Sequence, residues 1–434
     1  MRRAFLLAAM TAGLLAQQPS DPTALLAKAR DRVVARAERL PNYVCVQTVD
    51  RQYFKYLQRV KRLQWPGQQP APPSCAEIAA FDKENPRDLV PQSTDRLRLD
   101  LKVSGETEIG TWAGASQFGS RSVFDLIGGG TYETGTLGTF LADIFENGAF
   151  RYMDEETAGG IKLTAYRYRV PLQSSHYQFR TGSGWAPTAF SGVVWIDSDS
   201  LDIRRLTMDA NEMAPETGGC EATTTVEYQA VKVGAAEFML PVRSSMRMVR
   251  VDGTETRTAA VYSGCREYHG EASIRFDDTA GPGDIHAVAA AAAPLPVGIS
   301  LSLALTSPID TDTAAAGDVF TARLREPVRT SKEVLVPAGA RVEGRIVQMR
   351  HSLIQPRQFT ISLMLEKIEV RGVATPLFAR LSWEAGSTGI SLPPLGQSPL
   401  VAALVFTTNS DRHIVRAGYQ TNWVTVAPLP DENK

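Results

Sequence analysis

The chain has 434 residues, of which 43% are hydrophobic and 21% are charged, and this composition is typical of a globular protein with two or three domains. Its 46 basic residues nearly balance its 47 acidic residues, giving a formal net charge of −1. Such a balance supplies no overall attraction to nucleic acid or to an anionic membrane, so we expect no nucleic-acid partner.

The first 16 residues predict a secretory signal peptide. Arg2 and Arg3 precede an apolar run from Ala4 to Ala16, and cleavage is expected after Ala16. The run is shorter than the roughly 20 apolar residues that span a bilayer, and no later stretch is long and apolar enough to do so. We therefore expect a periplasmic or secreted protein with no integral membrane segment after signal cleavage.

A helix is expected next, followed at once by a strand. Asp21 and Pro22 form a helix start, and Pro41 ends it. Apolar side chains at spacings of three and four predict one buried face, formed by Leu26, Ala29, Val33, Ala37 and Leu40. The sequence "NYVCVQTVDRQYF" then predicts a strand. The basic segment from Arg51 to Arg62 is interpreted as a solvated strand edge, in preference to a phosphate-binding surface.

The middle of the chain predicts an antiparallel sheet. Residues 64–92 are rich in Pro and Gln and predict a surface excursion held by Cys75, whereas "RLRLDLKVSGETEIGTW" predicts a hairpin. A short helix is expected around residues 137–145. Strands then follow one another from Arg151 to Phe276. One of their hairpins is "GVVWIDSDSLDIRRLTM". Its returning strand is expected to carry apolar residues on both faces.

The composition changes after this sheet. Residues 277–298 are rich in Ala, Gly and Pro and predict a linker. Beyond it, "ISLSLAL", "VLVPAGARVEGRI" and "QFTISLMLEKIEV" predict short strands of a compact β-barrel or sandwich over residues 299–427, followed by a tail at 428–434.

Two family resemblances accompany these patterns. Residues 21–276, with their N-terminal helix, the "VVWID" hairpin and the late segment "VEYQAVKVGAAEFMLPVRSSM", resemble the LolA-like superfamily of periplasmic lipoprotein and lipid carriers. This resemblance implies a sheet curled into a half-barrel, with an apolar concave face closed by lid helices. Residues 299–427 are similar to the β-barrel of TrbI-type conjugal-transfer proteins, through "SPIDTDTAAAGDVFTARLREPV" and "EVLVPAGARVEGRI". Here the resemblance implies the fold alone.

Four cysteines in an exported chain predict two disulfides. Cys45, Cys75, Cys220 and Cys265 allow three pairings. Pairing Cys45 with Cys75 and Cys220 with Cys265 is favoured, because each pair falls within one locally folding region. Metal ligation is the disfavoured alternative, since no CxxC spacing occurs and no histidine lies near in sequence.

Motifs for catalysis or cofactor binding are not found. The five histidines are scattered without HExxH spacing, no G-x-S-x-G elbow occurs, and Gly128–Gly130 lacks the GK[ST] of a phosphate loop. Asp310 and Asp312 are interpreted as turn-capping residues in preference to cation ligands. We therefore expect no metal, no cofactor and no enzymatic activity.

The candidate site is apolar. The middle strands supply more aromatic and aliphatic area than a sheet covered on one face requires, so a ligand cavity is expected to be lined by Tyr166, Tyr168, Phe179, Trp195, Ile196, Tyr228 and Phe238, with Tyr177 beside them. Alternatively, packing against the 21–40 helix accounts for all of this surface. Because each buried methylene contributes about 0.8 kcal/mol, even a partly filled groove could hold a lipid reversibly.

These observations predict a mainly β (α+β) protein. Its expected parts are a curved antiparallel half-barrel with an N-terminal helix and short lid helices, and a second small β-barrel or sandwich domain. The favoured function is non-enzymatic binding of a lipid, a lipidated protein or another apolar ligand. The alternative is a structural or assembly role in a cell-envelope complex, with an envelope protein partner bound through the C-terminal barrel. A hydrolase with a site assembled from distant residues is the third interpretation.

Overall fold

The structure is a computed structural model, and the part of the chain it describes has several gaps. The described residues are 21–37, 39–56, 74–84, 89–105, 107–115, 118, 123–127, 139–182, 184–268, 294–329, 333–382, 390–391 and 400–428. The signal peptide, the Gly128–Gly130 run, most of the 277–298 linker, residues 271–276 and the end of the chain lie outside them.

Helices and strands of the N-terminal region alternate only at its beginning. In chain order they are α1 (Pro22–Ala37), β1 (Tyr43–Tyr56), α2 (Cys75–Glu84), β2 (Leu89–Ser104), β3 (Thr107–Trp112), α3 (Val123–Leu126), α4 (Thr139–Asn147), β4 (Ala149–Ala158), β5 (Ile161–Val170), β6 (Gln178–Arg180), β7 (Trp185–Pro187), β8 (Phe190–Asp197), β9 (Ile203–Ala210), β10 (Gly219–Val233), β11 (Ala236–Arg250) and β12 (Thr254–Glu267).

The described part of the C-terminal region consists of strands and loops. Its strands are β13 (Ser300–Leu305), β14 (Ile309–Asp310), β15 (Val319–Leu324), β16 (Val328–Arg329), β17 (Val334–Val336), β18 (Arg341–Ser352), β19 (Gln358–Val370), β20 (Val373–Pro376), β21 (Ala379–Leu381), β22 (Ile390–Ser391), β23 (Ala402–Thr407), β24 (Ile414–Val415) and β25 (Gln420–Thr425).

Ten strands of the N-terminal region form one antiparallel sheet. Its strand order is β3–β2–β1–β12–β11–β10–β9–β8–β5–β4. Paired strands twist, so a sheet of ten strands curves, and the helices of this region pack on one of its two faces. The predicted fold class, a mainly β protein with a curved antiparallel half-barrel, few helices and additional β structure, is confirmed.

One face of this sheet is continuous from edge to edge. Residues directly opposite one another in an antiparallel ladder share a face. Following the register across the sheet gives the row Tyr166, Val194, Leu206, Val226, Ser244, Ala260, Val49 and Leu97. Helices α1, α3 and α4 contribute side chains to the buried clusters on this side, which we call the inner face.

Helix α1 begins where its sequence predicts but ends at Ala37, before Leu40 of the predicted buried face. Asp21 accepts a hydrogen bond from the backbone N–H of Thr23 through its side chain (3.0 Å), and Pro22 occupies the first turn. Leu25 and Ala29, one turn apart, are buried against the inner face, with Leu26 and Val33 partly buried beside them. The opposite side of the helix faces solvent.

A β-bulge explains the two-faced hairpin of β8 and β9. Trp195 lies opposite Arg205 and Ile196 opposite Ile203, so β9 carries one extra residue at this point. The extra residue brings Ile203 onto the same face as Leu206 and Met208, and all three are buried. The apolar residues of β9 therefore cover one face only, and the expectation of a second apolar face was wrong.

The C-terminal region folds around its own core. Strands β21, β25, β13, β15, β18, β19, β23 and β22 pair in that order, with β20 on the far end of β19. Two of the predicted strands, β13 and β19, carry alternating buried residues: Leu301, Leu303, Ile361 and Leu363 are buried with Trp423. The strand, corner and strand predicted within "VLVPAGARVEGRI" correspond to β17 and β18.

The two regions share a sheet edge. Residues 350–352 of β18 pair with residues 93–95 of β2. Nearby, Ala316 forms a parallel bridge with Leu97 and is fully buried in the N-terminal core. Arg345 of β18 donates to the carbonyl oxygens of Ala113 (2.7 Å) and Gly317 (2.6 Å), so an arginine of the second region binds backbone of the first. The junction is therefore a packed interface.

Both disulfides differ from the favoured pairing. The bonds join Cys45 to Cys265 and Cys75 to Cys220, across 220 and 145 residues of sequence. Strand β1 pairs with β12, which is the last strand of this sheet in chain order. A register irregularity between Val44 and Val46 places Cys45 beside Cys265. Cys75 begins α2, and Ile78 of this helix is buried with Cys220 of β10 and Val249 of β11. The favoured pairing was wrong because the sheet order brings distant strands together.

The Pro/Gln-rich excursion at residues 64–92 is also partly structured. Residues 57–73 lie outside the described part, but residues 75–84 form α2 and β2 begins at Leu89. Ser74 and Glu77 form a capping box: the N–H of Glu77 donates to the Ser74 hydroxyl, and the N–H of Ser74 donates to the Glu77 carboxylate. That short signal was available in the sequence.

Candidate functional site

Most of the predicted aromatic residues gather in one cluster on the inner face. Tyr166 and Tyr168 of β5, Phe179 of β6, Ile196 of β8 and Tyr228 of β10 are buried together. Tyr177, which precedes β6, belongs to the same cluster. Helices α1 and α4 lie on it, contributing buried side chains among which the largest are Leu25, Ile144 and Phe145. This arrangement forms a helix-covered apolar surface rather than an exposed one.

Two of the predicted residues lie elsewhere. Trp195 alternates with the buried Val194 and Ile196, so its side chain faces away from the cluster, and the guanidinium of Arg205 lies 3.8 Å from its ring centroid. Such a cation–π contact is typical of a solvent-facing aromatic side chain. Phe238 packs at the margin of a second inner-face cluster, which contains Leu99, Leu101 and Leu240.

Tyr168 sits where a glycine makes room for it. It lies opposite Gly192, and its hydroxyl donates to the carbonyl oxygen of Thr207 at 2.6 Å. A Cβ at position 192 would lie 1.8 Å from that carbonyl oxygen and 2.8 Å from the Tyr168 hydroxyl. Burial raises the pKa of Tyr168 well above its ordinary value, so its hydroxyl stays neutral. Tyr168 is therefore a fixed part of the inner face.

The polar attachments of α1 are few. The Tyr166 hydroxyl donates to the carbonyl oxygen of Pro22 (2.7 Å), and burial raises the pKa of this tyrosine to about 12. At the other end, Arg32 and Arg36 both bind the carboxylate of Asp202, at 3.0 and 2.5 Å, in the turn before β9. We call these two ion pairs the Asp202 clasp. The arginines are substantially exposed, so the clasp lies where water competes with it.

A buried ion pair lies on the inner face between the two apolar clusters. Arg51 of β1 is 2% exposed and binds Asp95 of β2 through two bonds, Nε–Oδ1 at 2.7 Å and Nη2–Oδ2 at 2.8 Å. Its Nη2 also donates to the carbonyl oxygen of Ile127, just after α3. Sequence reasoning placed Arg51 on a solvated strand edge, which was wrong. Its alternation with Val49, two positions earlier, was the available signal.

Further polar side chains, most of them with hydroxyl groups, lie on the inner face near the Arg51–Asp95 pair. Gln47 donates to the Tyr262 hydroxyl at 3.0 Å, and that hydroxyl lies 3.4 Å from the Ser244 hydroxyl. Thr224 of β10 and Thr258 of β12 are also buried, and within the described part of the chain their hydroxyls have no hydrogen-bond partner. Polar groups on an otherwise apolar surface are the usual means by which a binding site orients its ligand.

Methionines form one end of the inner face. Met208 of β9 and Met246 and Met248 of β11 are buried on the two strands that flank β10, and Met213 packs against the same cluster. A Cβ at Gly219 would lie 2.5 Å from the terminal methyl carbon of Met213, so a glycine there leaves room for that side chain. Thioether side chains adapt to the shape of what they contact, which suits ligands of variable form.

A cleft opens beyond these methionines. Its volume is about 310 Å³, and it is lined by Tyr53, Phe54, Lys55, Gln92, Arg250, Thr254, Glu255 and Thr256. Sequence reasoning did not assign these residues to a site, because they come from four strand segments that only the sheet order brings together.

The described residues contain neither a candidate metal site nor a candidate membrane-spanning helix. Among them, no group of three or more His, Cys, Asp and Glu side chains could hold a metal ion. Within the same residues, no helix has both the length and the apolar character needed to cross a bilayer.

Comparisons with known proteins give distant structural similarity. No family model and no curated protein matches the chain. A LolA superfamily protein from Nitrosomonas europaea matches 55% of this chain and 94% of its own, at 11% identity and a TM-score of 0.25. A DUF1329 family protein from Desulfovibrio piger matches 57% and 94%, at 11% identity and 0.26. The lipoprotein LppX from Mycobacterium tuberculosis matches 58% and 99%, at 12% identity and 0.21. Similarity at this level does not establish membership of a family.

Proposed function

We propose that this protein is an exported, non-enzymatic carrier that binds a lipid or the acyl chains of a lipidated protein on the inner face of its half-barrel. A lipid would lie along the apolar clusters, with α1 displaced or tilted outward. The LolA-like arrangement expected from the sequence, a curled sheet with helices over an apolar concave face, has the same implication.

The observation that carries the proposal is the light attachment of α1 to a large apolar face. The helix has 16 residues, yet among those whose burial is described, 22–36, only Leu25 and Ala29 are buried. Tyr166, Leu206 and Met208 belong to the same buried cluster as these two residues, and each is at most 1% exposed. Lifting α1 would therefore expose apolar side chains of the sheet as well as of the helix. An acyl chain could replace the lost contacts at about 0.8 kcal/mol for each buried methylene.

An extracytoplasmic location is part of the proposal. The four cysteines form two disulfides, and no free cysteine remains among the described residues. Disulfides persist in oxidising compartments and are rare in the cytosol. Together with the predicted signal peptide, they support a periplasmic or secreted carrier.

Native mass spectrometry of the gently purified full chain tests the proposal. The expected result is a mass excess that disappears on delipidation and returns after incubation with a long-chain fatty acid. Identical masses before and after delipidation, with no uptake of a fluorescent fatty acid, would reject the carrier function.

The Asp202 clasp provides a matched pair of variants. Asp202→Asn removes the charge that holds Arg32 and Arg36, so α1 should open more easily and fatty-acid association should quicken severalfold. Asp199→Asn changes an exposed carboxylate in the same turn that, within the described residues, forms no ion pair with Arg32 or Arg36, and it should leave the rate unchanged. Equal rates in both variants would show that α1 does not control access.

The assembly role and the TrbI-type resemblance of the C-terminal region remain predictions. No specific contact in the described residues favours either of them over the carrier function.

A further inference from the structure

The cleft beyond the methionines continues the inner face. Tyr53 and Thr256 lie opposite one another in the row that contains Met248, and Lys55 and Thr254 form the next pair outward on the same face. Arg250 flanks the turn between β11 and β12 and alternates with Met248, so it belongs to the same face. Phe54 and Glu255 also line the cleft but alternate with these residues along β1 and β12. The cleft therefore lies at the polar end of the inner face, where these strands end.

The charges around the cleft favour an anion. Within the described part of the chain, Lys55 and Arg250 form no ion pair. Glu255 lines the cleft, but its carboxylate is fully buried and is bound by Arg247 at 2.9 Å and Arg257 at 2.6 Å. Asp252, in the adjacent turn, accepts from the N–H and hydroxyl of Thr254.

The C-terminal region places a third cation near the cleft. Arg350 of β18 donates to the Ser93 hydroxyl at 3.1 Å, and Ser93 lies opposite Tyr53. Tyr53 itself donates to Asp95 at 3.0 Å, and Asp95 is already held by Arg51. Each carboxylate near the cleft is thus bound by an arginine or by hydrogen-bond donors. Lys55 and Arg250, by contrast, form no ion pair within the described residues.

A track of threonines connects this cationic end with the interior. Thr254, Thr256 and Thr258 occupy alternate positions of β12 on the inner face and span about 13 Å. The hydroxyl of Thr258 is buried without a partner among the described residues, as is that of Thr224 two strands away. Thr256 and Thr258 lie directly opposite Met248 and Met246, so hydroxyl groups and apolar side chains lie side by side on this part of the inner face.

We propose that this cleft binds the anionic group, a phosphate or a carboxylate, of an amphipathic ligand whose apolar chain lies along the inner face. Lys55 and Arg250 would supply charge-assisted hydrogen bonds to the anion. The threonine hydroxyls would meet the polar linkage between head group and chain. This inference rests on the proposed carrier function, because it assigns the head-group end of the same site.

The test compares a fluorescent long-chain fatty acid with its methyl ester on the full chain. Wild type should bind the acid about tenfold more tightly than the ester, since one or two partly exposed charge contacts are at stake. The double variant Lys55→Gln/Arg250→Gln should lose this preference while retaining the affinity for the ester. Lys232→Gln/Arg243→Gln, which changes two exposed cations of β10 and β11 away from the cleft, should keep the preference.

The outcomes separate this inference from the proposed function. Equal binding of acid and ester by wild type would overturn the anion site and leave the carrier function standing. Binding of neither would overturn the carrier function. A third arm titrates inorganic phosphate alone: binding that the cleft variant abolishes, without binding of either amphiphile, would support an anion site that serves a free anion. Preference for the acid that persists in the cleft variant would place the anion elsewhere and overturn the inference.

Discussion

Arg51 and Asp95 form a two-bonded ion pair on the inner face of the sheet, at 2.7 and 2.8 Å, between two apolar clusters. The pair joins β1 to β2, and the same guanidinium reaches the carbonyl oxygen of Ile127 beyond α3. It therefore fixes the orientation of the sheet relative to one of the helices that cover it.

Removing one partner of this pair should be costly. Asp95→Asn leaves a buried guanidinium without its carboxylate, and we expect the free energy of unfolding to fall by about 3–5 kcal/mol. Urea denaturation measures this change. The control is Asp50→Asn on the neighbouring strand position, because Asp50 pairs with Arg96 at the surface and is half exposed. A loss of similar size in both variants would contradict the buried character of the Arg51 pair.

Gly317 should be irreplaceable at the junction of the two regions. Its φ is +108°, and a Cβ there would lie 2.0 Å from the carbonyl oxygen of Arg98. Gly317→Ala should lower the free energy of unfolding by about 3 kcal/mol or more, through backbone strain and separation of Ala316 from the N-terminal core. Gly182→Ala, in open space and without a positive φ, is the control. A thermal unfolding curve unchanged by the Gly317 substitution would refute the packed junction.

Peptide mapping should identify the two disulfides, and removing each one should lower the free energy of unfolding. Non-reducing peptide mapping is expected to recover Cys45 linked to Cys265 and Cys75 linked to Cys220. Because both bonds close long loops, each double Cys→Ser variant should lose up to about 5 kcal/mol, by the chain-entropy estimate. Recovery of a peptide joining Cys45 to Cys75 would contradict the sheet order described above.

Stability should fall in mildly acidic solution, in part through His351. Burial lowers the pKa of this histidine, the charge of Arg357 lowers it further, and Asp411 opposes the change. Its ring stacks on Phe359 with centroids 4.0 Å apart, at the end of β18 that pairs with β2. Because the unfolded chain binds the proton more readily, this contribution is complete above about pH 6.5 and is lost as the pH falls toward the lower folded pKa.

Urea denaturation at pH 7.5 and 5.5 measures that loss. His351→Phe keeps the aromatic stack and removes the proton, so the difference between the two pH values should shrink. It should not vanish, because burial also lowers the pKa of His413. An unchanged difference in the His351 variant would assign the acid sensitivity elsewhere. Asp197, whose pKa is lowered by hydrogen bonds from Ser200 and Arg204 despite its burial, acts only below about pH 4.

Local patterns in the sequence predicted the local structure. Pro22 lies in the first turn of α1, and the hairpin predicted within "RLRLDLKVSGETEIGTW" corresponds to β2 and β3. These signals act over a few residues, through hydrogen bonds and side-chain periodicity that any window of the sequence contains.

Features that depend on sheet order were not predictable from the sequence. The bulge at Ile203 makes a one-faced strand look two-faced, and the pairing of β1 with β12 decides the disulfides. Arg51 reads as a surface cation until Asp95, 44 residues later, is brought beside it. In the candidate site, most of the residues predicted from the sequence lie together in one buried cluster, whereas the cleft, built from four strand segments, was not predicted.

Photo-crosslinking with a diazirine-bearing fatty acid tests the carrier account most directly. The account predicts label on peptides of the inner face that contain Met208, Met246 or Met248, and less label when unlabelled fatty acid competes. Label confined to the opposite face of the sheet, or to the C-terminal region, would contradict it.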